Sequence, residues 1–580
     1  MKKYLFIALA AFGLVACTDN WNDPNSPNFK GELEESYIAI NLMSADLESR
    51  AATDSYGYDD GTTEERAIKA AYFFFFDENG NPFNVLVGNN GGATAPGGGI
   101  NHLSLTIGDT TGKNDPNVSD IKNAVLVLNT YKGVYPSKIV AVLNWTPENR
   151  AYSLSDLHDV VENSLGNESN GFVMSNSVYM DGTGNIVDAV PLTAANIKTS
   201  SEAALATPID IYVERTAAKV FLTANGKVAG TANIFDTHKN STPVLTTGSS
   251  SEIDVYVQLH GWELYNDYTK TNLLKNILTT WSVDDLGLTW NDIPYYRCYW
   301  ANSQNGDPGD SFSWSYSDFT AKGFPTTYGF KVASDNNYAE GTYAYCGENT
   351  NQVNGTTDPR TKVILKGQLM KKITETTYEP LELARWYGTE YAGNEALRIA
   401  VANSLKYTLY YHDSANQKYI SIGPDDLQCV EGNLVDAATY EVGFQLSDVG
   451  KTKTWYQYSS EKGYIVFGDT GIAGDNPAKT NEYLEGVEPA LLYTAGYTYY
   501  TVDIRHLGTN ENKPAYYGVV RNHVYKIDIE SITGYGSPVY IGTSNIENPD
   551  HPTEEDASYV AARINVLSWK VVKQGVNIVQ

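Results

Sequence analysis

The sequence predicts an all-β protein built of β-sandwiches, with one short helix in its N-terminal half. Three observations carry this. Runs with apolar residues at every second position recur along most of the chain, separated by clusters of Gly, Asn, Asp and Pro. The 580 residues include 43 Tyr and 49 Gly but only 5 Met, usage that suits twisted strands and tight turns better than helix bundles. One stretch, 153–165, has a helical stripe (Leu154, Leu157, Val160, Val161 and Leu165), with Ser153 or Ser155 as its cap.

In chain order, the first element is an export signal. Lys2 and Lys3 precede the apolar run Tyr4 to Val15, which is shorter than the roughly 20 residues needed to span a bilayer as a helix. Leu14-Val15-Ala16-Cys17 is a lipobox: small residues fit the signal-peptidase pocket, and the thiol of Cys17 accepts a diacylglyceryl group. Residues 1–16 are thus a signal peptide, and the polar stretch to Gly31 is a flexible tether.

The first strand is 37–43, with Ile38, Ile40 and Leu42 on one face. The run 67–76 ends in the turn Asp77-Glu78-Asn79-Gly80-Asn81. Further strands are expected at 123–131, 138–144, 209–223, 253–264, 361–369, 407–411, 498–504, 516–529 and 564–579. The Gly/Asn stretch 88–101 predicts a surface loop, and Ser/Thr-rich 240–251 a loop near a domain boundary placed at Ala224–Gly230.

Composition excludes several functions. A net charge of -28 argues against binding a phosphate backbone, so no nucleic-acid partner is expected. Beyond Cys17, the cysteines Cys298, Cys346 and Cys429 lack metal-site spacing; they form one bridge or are buried as small hydrophobes. Gly450-Lys451-Thr452 lacks the earlier glycine of a phosphate loop, because Gln445 stands there. Asp77–Asn81 alternates oxygen ligands as a calcium loop does, but it sits between strands and reads as a hairpin turn. No HExxH or GxSxG occurs, and His506 and His523 beside strands read as structural. No enzymatic activity, cofactor or metal is expected.

Several segments together carry a resemblance. They are the lipobox; Phe172-Val173-Met174-Ser175-Asn176-Ser177; Val213-Glu214-Arg215-Thr216-Ala217-Ala218-Lys219-Val220; and Tyr343-Ala344-Tyr345-Cys346-Gly347-Glu348-Asn349-Thr350. Gly518-Val519-Val520-Arg521-Asn522-His523-Val524-Tyr525 and Ile564-Asn565-Val566-Leu567-Ser568-Trp569-Lys570-Val571-Val572 follow. In this order the chain resembles the type V fimbrillins of Bacteroidales, in particular the major-subunit family of the short (minor) fimbriae. The stretches 265–340 and 375–500 contribute little to the likeness.

The resemblance implies two transthyretin-like β-sandwich domains in tandem, 51–226 and 227–580, behind a lipidated propeptide, 17–50. It implies an outer-membrane lipoprotein precursor cut after an arginine, which removes the lipid and the first strand. Carried onto this chain, the cut falls between Arg50 and Ala51, in a polar loop, with Arg66 as the alternative. Losing Ile38, Ile40 and Leu42 removes about 1.5–3 kcal/mol of burial per side chain and bares two strand edges. A neighbour's strand then fills the groove. The donor is the C-terminal segment 564–580, with Val572, Val576 and Ile578 on one face and Leu567, Trp569 and Val571 on the other. A bend falls at Lys573-Gln574-Gly575; alternatively the segment completes its own sandwich. The expected partners are copies of the chain, other fimbrial subunits, the outer membrane through the lipid before cleavage, and a host or bacterial surface receptor. A fimbrial tip or anchor adhesin, or an outer-membrane lipid-anchored glycan-binding protein using Trp300 or Trp314, is the competing reading.

Overall fold

In the computed structural model the alternating runs form strands in three main sheets and several small ones. The structure describes residues 33–44, 64–65, 67–85, 99–105, 122–162, 164–180, 185–246, 249–265, 270–277, 301, 303, 314–315, 322–324, 342–349, 360–431, 441–468, 475–506, 517–539, 545–546, 559–568 and 571–575.

The N-terminal sheet has eight strands. Its path runs His102–Leu105, Ala71–Phe76, Lys138–Leu143, Met174–Asn176, Ile209–Arg215, Leu33–Ser44, Lys122–Tyr131, with Val190–Pro191 paired to Lys138–Leu143 off this path. The phenylalanine run explains why this sheet is covered on both sides. Pleating sends Phe73 and Phe75 into one core and Phe74 and Phe76 into another, and all four are fully buried. The turn after them uses its own carboxylate: Asp77 Oδ1 accepts from the backbone N–H groups of Asn79 and Asn81, both at 2.8 Å.

A five-stranded sheet runs Tyr343–Gly347, Ala217–Thr223, His523–Thr533, Tyr559–Ser568, Val571–Gly575. An eleven-stranded sheet has Ile234–Leu245, Ser250–Tyr265, Lys362–Lys372 and Tyr497–Asp503 at its centre. Val220, Leu222 and Ile527 of the former share one core with Val257, Trp262, Leu365 and Val502 of the latter. This is sandwich packing, two sheets closing over one apolar layer. Between Thr389–Ala392 and Ala490–Tyr493 the chain adds the helix Gly393–Ser404 and a four-stranded sheet over a second core.

Five expectations change. The run 209–223 is two strands in different sheets. Thr216 breaks it, its N–H donating to Val173 O at 3.0 Å, so the chain changes sheets at 216. The helix at 153–165 covers only Leu154–Asp159, with Ser153 and Asp156 forming a capping box. It ends at Val160, whose C=O accepts from Leu273 N–H at 2.9 Å, and Val161–Glu162 pairs with Thr271–Asn272. The strand expected from 516 starts at His523, because Asn522 turns the chain with φ +58°. Residues 240–251 are mostly strand, closed by a bond from Thr246 N–H to Ser249 O. Asn101, at the end of the expected surface loop, is fully buried and bonds the backbone of Phe75 and Tyr152. Residues 88–98 of that loop lie outside the described residues.

Cys346 and Cys429 are buried, with no disulfide among the described residues, while Cys298 lies outside the described residues. Burial pushes the Cys429 thiol up to about 12. Since the thiolate is the nucleophile, iodoacetamide at pH 8 should leave both unlabelled in the native protein and label both once it is unfolded. Mass spectrometry of the two peptides checks this, and native labelling of Cys429 would contradict its burial.

Candidate functional site

The first strand lies inside the N-terminal sheet. Leu33–Ser44 runs antiparallel to Lys122–Tyr131 on one side, Ile38 opposite Leu126. On the other side it runs parallel to Ile209–Arg215, with Ile40 opposite Ile209 and Leu42 opposite Ile211. Ile38 and Ile40 are fully buried in the main core, which also contains Leu126, Leu128 and Ile211. Leu42 is described in backbone only. At the edge away from Lys122–Tyr131, Tyr37 and Lys198 exchange backbone hydrogen bonds of 2.8 and 2.9 Å.

Withdrawal of this strand would have a definite physical consequence. It would leave a slot one strand wide, floored by apolar side chains and walled by two unpaired backbone edges. Such edges bind another strand.

Downstream, the chain is fastened at Glu65. Its carboxylate is fully buried, with Oε1 2.7 Å from Lys219 Nζ, and it accepts the Tyr345 hydroxyl. Arg215 Nε donates to the Glu65 carbonyl at 2.9 Å. The Lys219 ammonium sits 4.3 Å from the Tyr343 ring centroid; the Tyr343 hydroxyl donates to Glu168 Oε1 at 2.6 Å, and the same oxygen lies 2.7 Å from the Tyr345 hydroxyl, whose one proton the Glu65 and Glu168 carboxylates share. Burial, with the adjacent Glu65 carboxylate, raises the Tyr345 phenol pKa far above its ordinary value. Arg66, the alternative cut, follows this anchored residue directly.

The other end of the chain forms a hairpin. Val571–Gly575 pairs with Tyr559–Ser568, Gly575 opposite Asn565 and Lys573 opposite Leu567. It is the outermost strand of its sheet, with one edge unpaired among the described residues. The reversal falls between Ser568 and Val571, ahead of the expected bend at Lys573-Gln574-Gly575. Val572 is described in backbone only; Val576, Ile578, Cys17, Arg50, Ala51 and Trp300 lie outside the described residues. Trp314 is in a two-residue strand paired with Asn545–Ile546.

Sequence reading missed a buried polar junction built from segments quoted above for the resemblance. Arg215 N–H and its guanidinium both bond Asn522 Oδ1, at 3.3 Å. Arg521 pairs with Glu348, both side chains fully buried. Glu214 lies 3.8 Å from Lys275 Nζ, also buried. Segments hundreds of residues apart thus meet where the chain passes between sheets. Charged residues inside apolar strands were the available signal.

Residues 491–575 match the family described as major fimbrial subunit protein type IV, fimbrillin, C-terminal. The match covers the C-terminal segment alone, which is similar to the C-terminal region of that fimbrial-subunit family. Similar solved structures include a fimbrilin from Porphyromonas gingivalis W83, 14% identical, covering 93% of this chain and 99% of that one with a TM-score of 0.36. A fimbrial assembly protein from Parabacteroides distasonis is 11% identical, covering 60% of this chain and 86% of that one, TM-score 0.27. The C-terminally truncated tip fimbrial protein Mfa3 from Porphyromonas gingivalis is 10% identical, covering 92% and 100%, TM-score 0.25. No curated protein matches the chain.

Proposed function

We propose that the chain is a shaft subunit of an adhesive surface fimbria, of the short-fimbria major-subunit type, that polymerises by donor-strand exchange. Lipid on Cys17 carries the precursor to the outer membrane. A cut between Arg50 and Ala51 then releases lipid and first strand together, leaving the sandwiches from residue 51 onward. The C-terminal segment of a neighbour, through Val572, Val576 and Ile578, fills the slot left by Ile38, Ile40 and Leu42. The observation that carries this reading is the first strand's interior position between Lys122–Tyr131 and Ile209–Arg215. An edge strand could be lost without creating an acceptor; this one could not.

The outermost position of Val571–Gly575 supports the donor role, since it can leave with the loss of one ladder instead of two. Deleting 572–580 from the full chain tests it. The variant should fold, with the far-ultraviolet spectrum of the parent, and form no fibres in electron micrographs after N-terminal processing. Fibres in parental yield would eliminate the C-terminal donor while leaving the acceptor slot standing.

A further inference from the structure

The insertion between Thr389–Ala392 and Ala490–Tyr493 carries a surface that strand exchange does not use. Its four-stranded sheet runs Lys418–Ser421, Leu409–Asp413, Trp455–Ser459, Gly463–Val466. Pleating divides the side chains cleanly. Leu409 and Trp455 are fully buried in the second core, and the partly buried Tyr411 packs against it. The alternate positions Tyr410, His412, Tyr419, Tyr456, Tyr458 and Tyr464 therefore share the opposite, outward face. Their register agrees: Tyr410 is opposite Tyr456, His412 opposite Tyr419, and Tyr458 opposite Tyr464.

These rings form one continuous cluster. Tyr419 and Tyr464, from the two edge strands, lean across the sheet and stack with centroids 3.7 Å apart and planes 8° from parallel. Tyr410 and Tyr456 meet this stack edge-on at 5.2 and 5.3 Å, and His412 lies 4.9 Å from Tyr419. Tyr458 stands at the border, 5.3 Å from Tyr464 and 61% exposed; Tyr464 itself is 38% exposed. Among the described residues, this face carries neither carboxylate nor ammonium, on a chain of net charge -28.

We infer that this tyrosine face is a binding platform for neutral oligosaccharides. Flat rings offer an apolar surface on which the C–H face of a pyranose can lie, while phenol hydroxyls and the imidazole offer hydrogen bonds at its rim. The charge pattern selects a neutral ligand, because an acidic one would meet the field of a strongly anionic protein. Size argues against a second copy of the chain. Four strands about 4.8 Å apart, each of about five residues rising 3.3 Å, give a face of roughly 300 Å². A stable protein interface needs about 800 Å² per partner, whereas this footprint suits a few sugar units. The site deepens the adhesive part of the proposed role but is independent of strand exchange, so a monomer that never polymerises retains it.

The test is binding of the full chain to an array of neutral galactose-, N-acetylglucosamine- and mannose-containing oligosaccharides and their sialylated counterparts. Saturable binding to at least one neutral glycan is expected, weakened at least tenfold by Tyr458→Ala with Tyr464→Ala. Tyr458→Phe should keep most of it, since the ring remains. An unchanged unfolding midpoint of the double variant shows that its fold is intact; if the midpoint falls, Tyr458→Ala alone, at the exposed border, decides the matter. Absence of binding by the parent, preference for the sialylated forms, undiminished binding by the variants, or their loss of self-association instead would overturn the assignment. Failure of the Δ572–580 experiment would leave it untouched.

Discussion

Arg50→Ala is expected to leave the subunit as a lipid-anchored monomer that folds normally and forms no fibres. The reason lies in how Leu33–Ser44 is held. It makes two ladders, one with Lys122–Tyr131 and one with Ile209–Arg215, and it buries Ile38 and Ile40 completely. While it stays attached, an incoming strand finds neither edge free. A tethered segment competes at an effective concentration of about millimolar, so against micromolar subunits exchange should fall about a thousandfold. The cut removes that tether. Position matters as much as sequence: Glu65 is fixed by Lys219, Tyr345 and Arg215, so a protease acting beside it would have to draw a buried carboxylate out of its ion pair. Residue 50 lies well upstream of that anchor. Electron microscopy and N-terminal sequencing read the outcome. A mutant still starting at Ala51, or fibres in normal yield, would refute the role given to Arg50.

Much of the fold was legible because strand formation is local. Ile38, Ile40 and Leu42 stand at every second position, and Phe73–Phe76 and 138–143 are apolar enough to announce burial. The first strand could therefore be read from sequence, but its slot could not. The partners Lys122–Tyr131 and Ile209–Arg215 come from distant parts of the chain, one of them parallel, and no short-range rule pairs them. Run 209–223 contains neither Gly nor Pro, and the change of sheet is marked only by the polar step Glu214-Arg215-Thr216, across which the apolar positions shift from 209, 211 and 213 to 218, 220 and 222. In 153–165 the helical stripe was present, yet pairing of Val161–Glu162 with Thr271–Asn272 prevailed over it. The opposite error is the helix Gly393–Ser404, where Leu397 and Val401 stand one turn apart, both fully buried. It lay in a stretch read for its lack of family likeness, and its own periodicity went unused. The ionic junction was hidden for another reason. Glu65, Lys219 and Glu348 look like solvent-facing residues until the fold brings their partners to them.

That junction sets the largest expected stability effect. Arg521 is fully buried; its Nε donates to Glu348 Oε2 at 3.0 Å, and Nη2 bonds Glu348 Oε1. Further bonds reach Thr271 Oγ1 at 3.0 Å, Asn272 O at 2.8 Å and Leu273 O at 3.3 Å. Burial alone would lower the guanidinium pKa, but the Glu348 carboxylate more than reverses it. Arg521→Ala strands a buried carboxylate and two carbonyls, and should cost about 3–5 kcal/mol of unfolding free energy. Arg521→Lys should recover only part of this, because an ammonium cannot reproduce the two-pronged bond to Glu348. The double variant Arg521→Met with Glu348→Leu should be much closer to the parent, since desolvation offsets most of a buried pair's attraction. Urea unfolding of the four proteins tests this ranking. Single variants within about 1 kcal/mol of the parent would mean that water reaches the pair and relieves it. The same bonds tie Thr271–Leu273, and through it Val161–Glu162, to the turn preceding His523–Thr533. Loss of Arg521 should therefore speed amide exchange around 271–277 before the rest of the chain, locating the weakness at the junction between successive sheets.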